Sequence, residues 1–282
     1  MRKIELKAQA MAAAAPLFAC PVCHEELTVK GTSLVCPQDH VFDLNKKGCV
    51  NFLNAPVNTE YDEEMLAARR RVLTAGFFTP FLKRMASQLA PADRLLDIGC
   101  GEGTPTDYLG ANVATSVGFD ISAPAIKLAG ALNGPALFCV ADLARLPFLE
   151  NSFTAIADIF SPGAYAEFER VLRPGGKILK IIPASGYLRE LRQALYAGTD
   201  KATYSNASVK DHFYARYPDA VSEPISYDFA CTPELFADIV RMTPLSWQAD
   251  PEKRAALLAN PLPSIHVDVE LLSTEWNQAS RS

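Results

Sequence analysis

Beyond residue 93, the chain alternates between short apolar runs and longer stretches whose apolar residues recur at helical spacing. Strands are predicted at 94–98, 116–119, 137–140, 155–160 and 177–182. Two later strands, at 225–229 and 265–271, flank a helix predicted at 233–242. This order is typical of a parallel α/β sheet with crossover helices. The pattern therefore predicts a doubly wound, Rossmann-like sheet that ends in a late pair of strands.

The whole chain divides into four segments of different character. They are an N-terminal tail, a cysteine-rich module, a helical connector and the α/β domain, at 1–17, 18–56, 57–90 and 91–282, respectively. The tail is interpreted as frayed or helical. The module carries short alternating pieces at 27–30 and 33–35, which suit small strands around a metal ion. The connector has helical spacing with a break at 76–80.

Composition is that of an ordinary globular protein, with 49% apolar and 21% charged residues. No apolar run approaches the roughly 18 residues that span a bilayer, so we expect a cytoplasmic protein without a membrane partner. The net charge of −5 is not typical of a nucleic-acid binder, although phosphates respond to local basic patches. The arginines and lysines within 57–90 and 184–217 fit solvated helix faces better than RNA contacts.

The cysteine-rich module contains a metal-binding pattern. Four of the seven cysteines lie in the first 50 residues, which favours metal binding over a disulfide framework. Two residues separate Cys20 from Cys23, and three separate Cys36 from His40. Each gap allows the paired side chains to reach one ion, and three thiolates with one imidazole form the closed tetrahedral set of structural zinc. The spacing therefore predicts one structural zinc ion.

A glycine-rich loop follows the first predicted strand of the α/β domain, with Gly99, Gly101 and Gly103. Glycines at this turn let the backbone approach a ligand closely. A dinucleotide-binding loop would have Gly or Ala where this chain has Thr104. Glu102 is also a poor neighbour for a pyrophosphate, but it suits a cationic sulfonium. The loop therefore favours S-adenosylmethionine (SAM) over a dinucleotide.

Acidic residues end or follow three successive predicted strands. Asp97 suits the methionine amino group of SAM, directly or through water. Asp120 is placed for the ribose hydroxyls, and Asp142 for the adenine amine. Either of these two could instead cap a helix. Three acids beside one glycine loop strengthen the assignment of SAM as the cofactor.

Several motifs together resemble a known family. They are Cys20-Pro-Val-Cys23 with Cys36-Pro-Gln-Asp-His40-Val-Phe-Asp43, the loop Leu96-Asp-Ile-Gly-Cys-Gly-Glu-Gly103, and Met242-Thr-Pro-Leu-Ser-Trp247. From about Phe18 onward the chain is similar to the 23S rRNA guanine-N1-methyltransferases of the RlmA type. Three further stretches are most similar to the Gram-positive branch, which is linked to tylosin-type macrolide resistance: Asp142-Leu-Ala-Arg-Leu-Pro147, Asp158-Ile-Phe-Ser-Pro162 and Ile181-Ile-Pro183.

The resemblance implies a class I SAM-dependent methyltransferase fold with an N-terminal zinc ribbon. It also implies that the substrate is a guanine in the helix 35 hairpin of 23S rRNA and that the zinc module helps to grip this RNA. The guanine 748 type is favoured, and the 745 type stays open. The family's SAM contacts map onto Phe78, Pro105, Thr106 and Tyr187, and its zinc ligands onto the four residues named above. Phe78 and Tyr187 stand where the family often has Tyr and His, and both keep a flat ring.

Methylation of guanine N1 requires alignment of that atom with the methyl carbon and removal of its proton. Asp158 is the preferred candidate base and Glu167 a weaker one, although either also fits a structural carboxylate. Alternative hypotheses are a methyltransferase acting on a small molecule and a non-catalytic RNA-binding protein. The sequence predicts no obligate protein partner and leaves open whether the chain is a monomer or a homodimer.

Overall fold

The computed structural model describes residues 1–14, 16–55, 57 and 61–277. Its strands are β1 Thr28–Lys30, β2 Ser33–Val35, β3 Val41–Asp43, β4 Val50–Asn51, β5 Arg94–Ile98, β6 Thr115–Asp120, β7 Leu137–Val140, β8 Phe153–Ile159, β9 Leu172–Pro183, β10 Val221–Ala230 and β11 Ser264–Trp276. Its helices are α1 Lys3–Ala14, α2 Glu63–Thr74, α3 Thr79–Ala86, α4 Thr104–Gly110, α5 Ala123–Ala129, α6 Tyr165–Val171, α7 Arg189–Tyr196, α8 Ala207–Arg216, α9 Pro233–Met242, α10 Pro244–Trp247 and α11 Pro251–Ala259, with a 3₁₀ turn at Asp200–Ala202.

The large sheet has the strand order β10-β11-β9-β8-β5-β6-β7-β4. Strands β4 to β9 pair in parallel, and β11 is antiparallel to both of its neighbours. Every residue of the central strand β8 is buried, as expected for a parallel strand covered on both faces. The strand order reverses at β5, and doubly wound sheets bind ligands at the carboxyl ends beside such a reversal. The predicted fold class is confirmed.

Most predicted elements of the α/β domain are present. The strands at 94–98 and 137–140 and the helix at 233–242 have the predicted bounds. The start of the strand predicted at 177–182 was wrong, because β9 begins at Leu172, which already pairs with Phe153. The pattern does not predict α7, α8, α10 or α11.

The N-terminal segment is a packed helix. In α1, Ala8 and Met11 are buried. The ammonium groups of Lys3 and Lys7 donate hydrogen bonds to backbone carbonyls at 132, 134 and 136, over 2.5 to 2.8 Å. The tail, which the sequence left as either frayed or helical, is therefore helical in the structure. None of the helices in the described residues is long and apolar enough to cross a membrane.

The cysteine-rich module packs directly on the large sheet. Strands β1, β2 and β3 form a small antiparallel sheet, and β4 joins the edge of the large sheet beside β7. The Leu17 carbonyl accepts from Leu149, and the Ala19 N–H donates to Pro147. The ring centroids of Phe18 and Phe148 are 5.5 Å apart. The module and the sheet therefore share one hydrophobic core.

Candidate metal and cofactor sites

The four predicted metal ligands lie together in the module. The thiols of Cys20, Cys23 and Cys36 and a ring nitrogen of His40 all lie within 4.8 Å of one another. The Cys23 and Cys36 sulfurs are 3.6 Å apart, and His40 Nδ1 is 3.2 Å from the Cys36 sulfur. Zinc bonds of about 2.3 Å to sulfur and 2.0–2.1 Å to nitrogen would place tetrahedral ligand atoms at roughly these spacings. The donor set therefore fits a structural zinc ion.

Two tight turns hold these ligands. In the first turn, the His24 N–H donates to the Cys20 carbonyl over 2.8 Å, and in the second the Asp39 N–H donates to the Cys36 carbonyl over 3.0 Å. His24 and Asp39 have φ angles of 63° and 58°, in the left-handed region that non-glycine residues seldom occupy. Each lies next to the second ligand of its pair. The backbone is therefore bent sharply at both knuckles so that the paired side chains converge.

A second site lies at the carboxyl ends of β5, β6, β8 and β9. There a cavity of about 310 Å³ opens beside the glycine loop. Five of the predicted cofactor contacts line it: Phe78, Gly99, Gly101, Asp120 and Tyr187. The lining also includes residues that the sequence did not single out for the cofactor, among them Arg69, Phe160, Ser161, Arg192, Tyr204 and Leu245. The cavity is therefore where the strand-order reversal predicts a ligand.

The three loop glycines have different surroundings. All have positive φ, of 60° at Gly99, 57° at Gly101 and 90° at Gly103. A Cβ at Gly103 would lie 2.9 Å from the Phe138 ring, and one at Gly99 would lie 2.3 Å from the Ser161 hydroxyl. Apart from its chain neighbours, Arg69 is the one described residue that a Cβ at Gly101 would meet within 4 Å, at 3.6 Å. Gly99 and Gly103 therefore allow packing inside the protein, whereas Gly101 faces the cavity.

Asp120 lies at the carboxyl end of β6 and clamps the loop. Its carboxylate accepts from the Gly101 N–H over 2.9 Å and from the Ser122 N–H over 2.8 Å. Burial raises the pKa of Asp120, and these two hydrogen bonds oppose the rise. The side chain still lines the cavity. Asp120 therefore combines a fixed position with a face open to a ligand.

Asp97 supports the loop from behind. Its carboxylate is 1% exposed and accepts from the Thr106 hydroxyl over 2.5 Å. Burial raises the pKa of Asp97 to about 7. Neither side chain lines the cavity, and neither does the neighbouring Pro105, which is buried in the first turn of α4. The structure thus brings Asp97 and Thr106 together, but beside the cavity rather than in its wall.

Asp142 lies apart from the other predicted contacts. It is exposed, and its carboxylate accepts from the Ala144 N–H over 2.9 Å. This is the local turn that aspartate often forms with the backbone two residues on. The cavity does not extend to this residue.

Asp158 is buried in an ion pair. Its carboxylate lies 2.5 Å from the ammonium of Lys180 and also accepts from the Ser161 N–H over 3.1 Å. Lys180 donates a second hydrogen bond to the Ser161 carbonyl, over 2.7 Å. Burial raises the pKa of Asp158 to about 6, although the charge of Lys180 opposes the rise. Asp158 thus fixes the backbone of Ser161 in the cavity wall, and it does not itself line the cavity.

Glu167, the weaker candidate base, is remote from the cavity. Its carboxylate pairs with Arg170 over 2.7 Å and accepts from the Leu146 N–H over 2.8 Å. It lines a different depression, between the module and the sheet.

Family models match both the cysteine-rich module and the α/β domain. The family model for the N-terminal part of RlmA, a zinc ribbon, matches residues 18–60, and a methyltransferase-domain model matches residues 96–179. A Bacillus subtilis (strain 168) protein provisionally named 23S rRNA (guanine-N(1)-)-methyltransferase YxjB is 37% identical, over 91% of this chain and 96% of its own length. The 23S rRNA (guanine(748)-N(1))-methyltransferase of Streptomyces fradiae is 30% identical, over 88% of this chain and 91% of its own length.

The chain belongs to the 23S rRNA (guanine-N1)-methyltransferase family. It is accordingly a SAM-dependent methyltransferase with one structural zinc ion. The cavity fits this cofactor, because it presents a carboxylate at Asp120, aromatic walls at Phe78 and Tyr187, and a cation at Arg69. These are the chemical partners that ribose hydroxyls, a sulfonium and a carboxylate need.

Arg69 and Arg192 are cavity residues that sequence reasoning placed elsewhere, on solvated helix faces. Three consecutive arginines, 69 to 71, occupy one turn of α2, and successive helix residues point about 100° apart. At most one of the three can therefore face the cavity. The sequence does not tell which one, because that depends on how α2 is rotated against the sheet.

Proposed function

We propose that this enzyme transfers a methyl group from SAM to N1 of a guanine in the helix 35 hairpin of 23S rRNA, of the guanine 748 type. The observation that carries the proposal is the likeness, over most of both chains, to the Streptomyces fradiae enzyme named for guanine 748. Since ribosomal RNA is the substrate, we also propose that the protein works in the cytoplasm.

The lining of the cavity suits a planar methyl-group acceptor such as a base. Beyond the glycine loop its lining includes Phe160, Tyr204 and Arg192, and the guanidinium of Arg192 lies 5.2 Å from the Tyr204 ring centroid. Aromatic rings stack with an extruded base, and arginine recognises the O6 and N7 acceptors of guanine. SAM supplies the electrophilic methyl group, so the residues of the chain mainly align guanine N1 and exclude water. The base must leave its stack to enter such a cavity.

Asp158 is proposed to act as a positioning residue. Its carboxylate is satisfied by Lys180 and the Ser161 N–H, and it has no free face toward the cavity. The N1 proton is then removed by water rather than by this carboxylate. Asp158→Asn retains an acceptor for the Ser161 N–H, so we expect kcat to fall by less than about 100-fold and its pH profile to keep its shape. A loss of about 10³-fold or more, with the pH dependence abolished, would identify a general base instead.

The remaining predicted contacts keep proposed roles. We propose that Asp120 binds the ribose hydroxyls and that Phe78 and Tyr187 pack against the cofactor. We propose that four further residues shape the glycine loop without contacting the cofactor: Asp97, Gly103, Pro105 and Thr106. Asp142 would reach an adenine amine only after a rearrangement of its turn.

The test is to map the methylated nucleotide. The purified zinc-replete protein would be incubated with SAM and 23S rRNA that lacks methylation in helix 35. Primer extension stops at N1-methylguanine, because the methyl group blocks base pairing, and we expect one new stop at guanine 748. Replacing that guanine by adenine is the control and should remove the stop.

Other outcomes distinguish the alternatives. A stop at guanine 745 would retain the substrate and contradict the position. No methylation of RNA together with firm SAM binding would favour a small-molecule acceptor, and absence of SAM binding would favour a non-catalytic RNA-binding protein. A ribosomal RNA substrate also predicts binding that weakens steeply as salt concentration rises.

A further inference from the structure

Three consecutive arginines of α2 have three different surroundings. Arg70 pairs with the buried carboxylate of Glu102 in the glycine loop. Arg71 forms a two-pronged pair with Asp238, with both distances 2.6 Å. Arg69 has neither a salt bridge nor a hydrogen bond to any of the residues that the structure describes. Its charge lowers the pKa values of Asp97 and Asp120, which burial raises, but it lies within salt-bridge distance of neither carboxylate. Arg69 is therefore the one arginine of this run whose N–H donors are all unused among the described residues.

Arg69 is held over the glycine loop. Its guanidinium carbon lies 5.4 Å from the centroid of the Phe78 ring, which is 1% exposed. Its Nε is the atom that a Cβ on Gly101 would meet, at 3.6 Å. The side chain is half-buried and lines the cofactor cavity. The ring contact positions the planar group and leaves its N–H donors for a ligand.

An unpaired cation in a half-buried cavity favours an anionic ligand, because burial removes water that would otherwise solvate the charge. Asp120 is the carboxylate that lines this cavity, and its two oxygens already accept backbone N–H groups. SAM has a cationic sulfonium, an uncharged adenosine and a cationic amino group at neutral pH. Its α-carboxylate is its single anionic group, and arginine matches a carboxylate in two-pronged geometry.

We propose that Arg69 binds the α-carboxylate of the methionine moiety of SAM. The proposal rests on the SAM dependence of the enzyme and not on the identity of the RNA target. The three consecutive arginines would then have different roles: Arg70 fixes the glycine loop, Arg71 links α2 to α9, and Arg69 binds the cofactor.

The experiment compares two adenosine ligands by titration calorimetry on the full-length zinc-replete protein, without RNA. S-adenosylhomocysteine carries the amino acid carboxylate, and 5′-methylthioadenosine lacks the whole amino acid group. For Arg69→Met we expect an affinity loss of about 10- to 100-fold for S-adenosylhomocysteine and no change for 5′-methylthioadenosine, as for the loss of one charged hydrogen-bonded pair. Arg69→Lys, which keeps the charge but not the fork, should recover part of the loss.

Two control variants frame the result. Arg71→Met removes a neighbouring arginine whose partner is Asp238, and we expect both affinities to be unchanged. Asp120→Ala, at the proposed ribose contact, should weaken both ligands alike. Thermal unfolding and zinc content, measured for each variant, identify any that is misfolded.

Two results would overturn the proposal. Equal weakening of both ligands by Arg69→Met would mean that the side chain shapes the loop. Unchanged binding of both, with weakened binding of helix 35 RNA, would assign Arg69 to an RNA phosphate. Because both ligands are measured without RNA, the inference can fail or hold independently of the proposed methylation target.

Discussion

Three carboxyl groups lie around the crevice at β5, and their immediate partners distinguish them. Burial raises the pKa of each, at Asp97, Asp120 and Asp158. Asp97 has a neutral hydroxyl partner, Asp120 has two backbone N–H groups, and Asp158 has a lysine. Among the described residues, Asp97 forms neither a salt bridge nor a hydrogen bond with a backbone donor, and the charge of Arg69 only partly offsets the rise in its pKa. Ionised Asp97 should therefore destabilise the folded state more than the other two carboxylates do.

Asp97 should make stability fall as pH rises. Its pKa is about 7 in the folded protein against an ordinary value of 3.8. Between these two values the folded state retains a proton that the unfolded chain has lost, so the unfolding free energy decreases up to about pH 7 and then levels off. Asp97→Asn keeps an acceptor for Thr106 and removes the charge. We expect this variant to be more stable than the wild type at pH 8, on the order of a few kcal/mol.

Urea unfolding at intervals from pH 4 to pH 8 measures the difference. The gap between the variant and the wild type should shrink toward pH 4, where the carboxyl is protonated in both states. A gap that stays constant across this range would mean that Asp97 is already ionised when buried.

At residue scale, the sequence predicts which neighbouring residues act together better than it predicts where a side chain points in the folded protein. The zinc ligands form two pairs, each closely spaced in the sequence, and this spacing alone places both members of a pair in one turn. Asp142 has the predicted position in the chain, but its side chain bonds its own turn rather than facing the cavity. Arg69, by contrast, was not predicted to line the cavity and does so, because the rotation of α2 decides which arginine faces inward. Such directions arise from tertiary packing, which a one-dimensional pattern does not contain.

Among the structural elements, the glycine loop is shaped more by packing than by ligand approach. Gly103 is the N-cap of α4 and has a φ of 90°, and the space at its Cα is filled by Ala129 and Phe138. Gly101 has a φ of 57°, and its Cβ direction is open except for Arg69. The two glycines therefore offer a matched pair of substitutions in one loop.

Gly103→Ala should be the more destabilising substitution. It combines an unfavourable φ with contacts of 2.8 and 2.9 Å to buried side chains, so we expect a loss of roughly 2–4 kcal/mol in the free energy of unfolding. Gly101→Ala carries the φ cost without the clash, and we expect about 1–2 kcal/mol. Chemical denaturation measures both. Equal losses, or a larger loss at Gly101, would contradict this account of the loop.

The prediction of elements succeeded where strands are short, apolar and bounded by turns. Strand β5 has the predicted bounds because its residues 95 to 98 are buried and the glycine loop ends it. Four of the helices after β9, namely α7, α8, α10 and α11, were missed because their patterns are weak or short; in α8, for example, Phe213 is the single buried residue. Their positions depend on contacts with α9 and with the β10–β11 pair. The cavity wall contributed by Arg192 and Tyr204 was missed for the same reason.

On the scale of the whole molecule, the zinc module is part of the fold rather than a separate lid. Strand β4 extends the large sheet, and the aromatic contact of Phe18 with Phe148 joins the two cores. Cys20 and Cys36 are themselves buried in that common core. The zinc ion therefore stabilises residues that also support the sheet beneath the cofactor cavity.

Loss of zinc should consequently destabilise the entire protein. For Cys23→Ser we expect a lower zinc content and a single thermal transition, with a midpoint about 10 °C or more below that of the wild type. Cys231→Ser is the control, since that thiol lies outside the cluster and contacts the Leu262 carbonyl. At temperatures where Cys23→Ser remains folded, binding of S-adenosylhomocysteine should be nearly intact and RNA binding weaker. Two separate transitions, with the upper one unchanged, would show instead that the module unfolds on its own and that the shared core contributes little to the stability of the sheet.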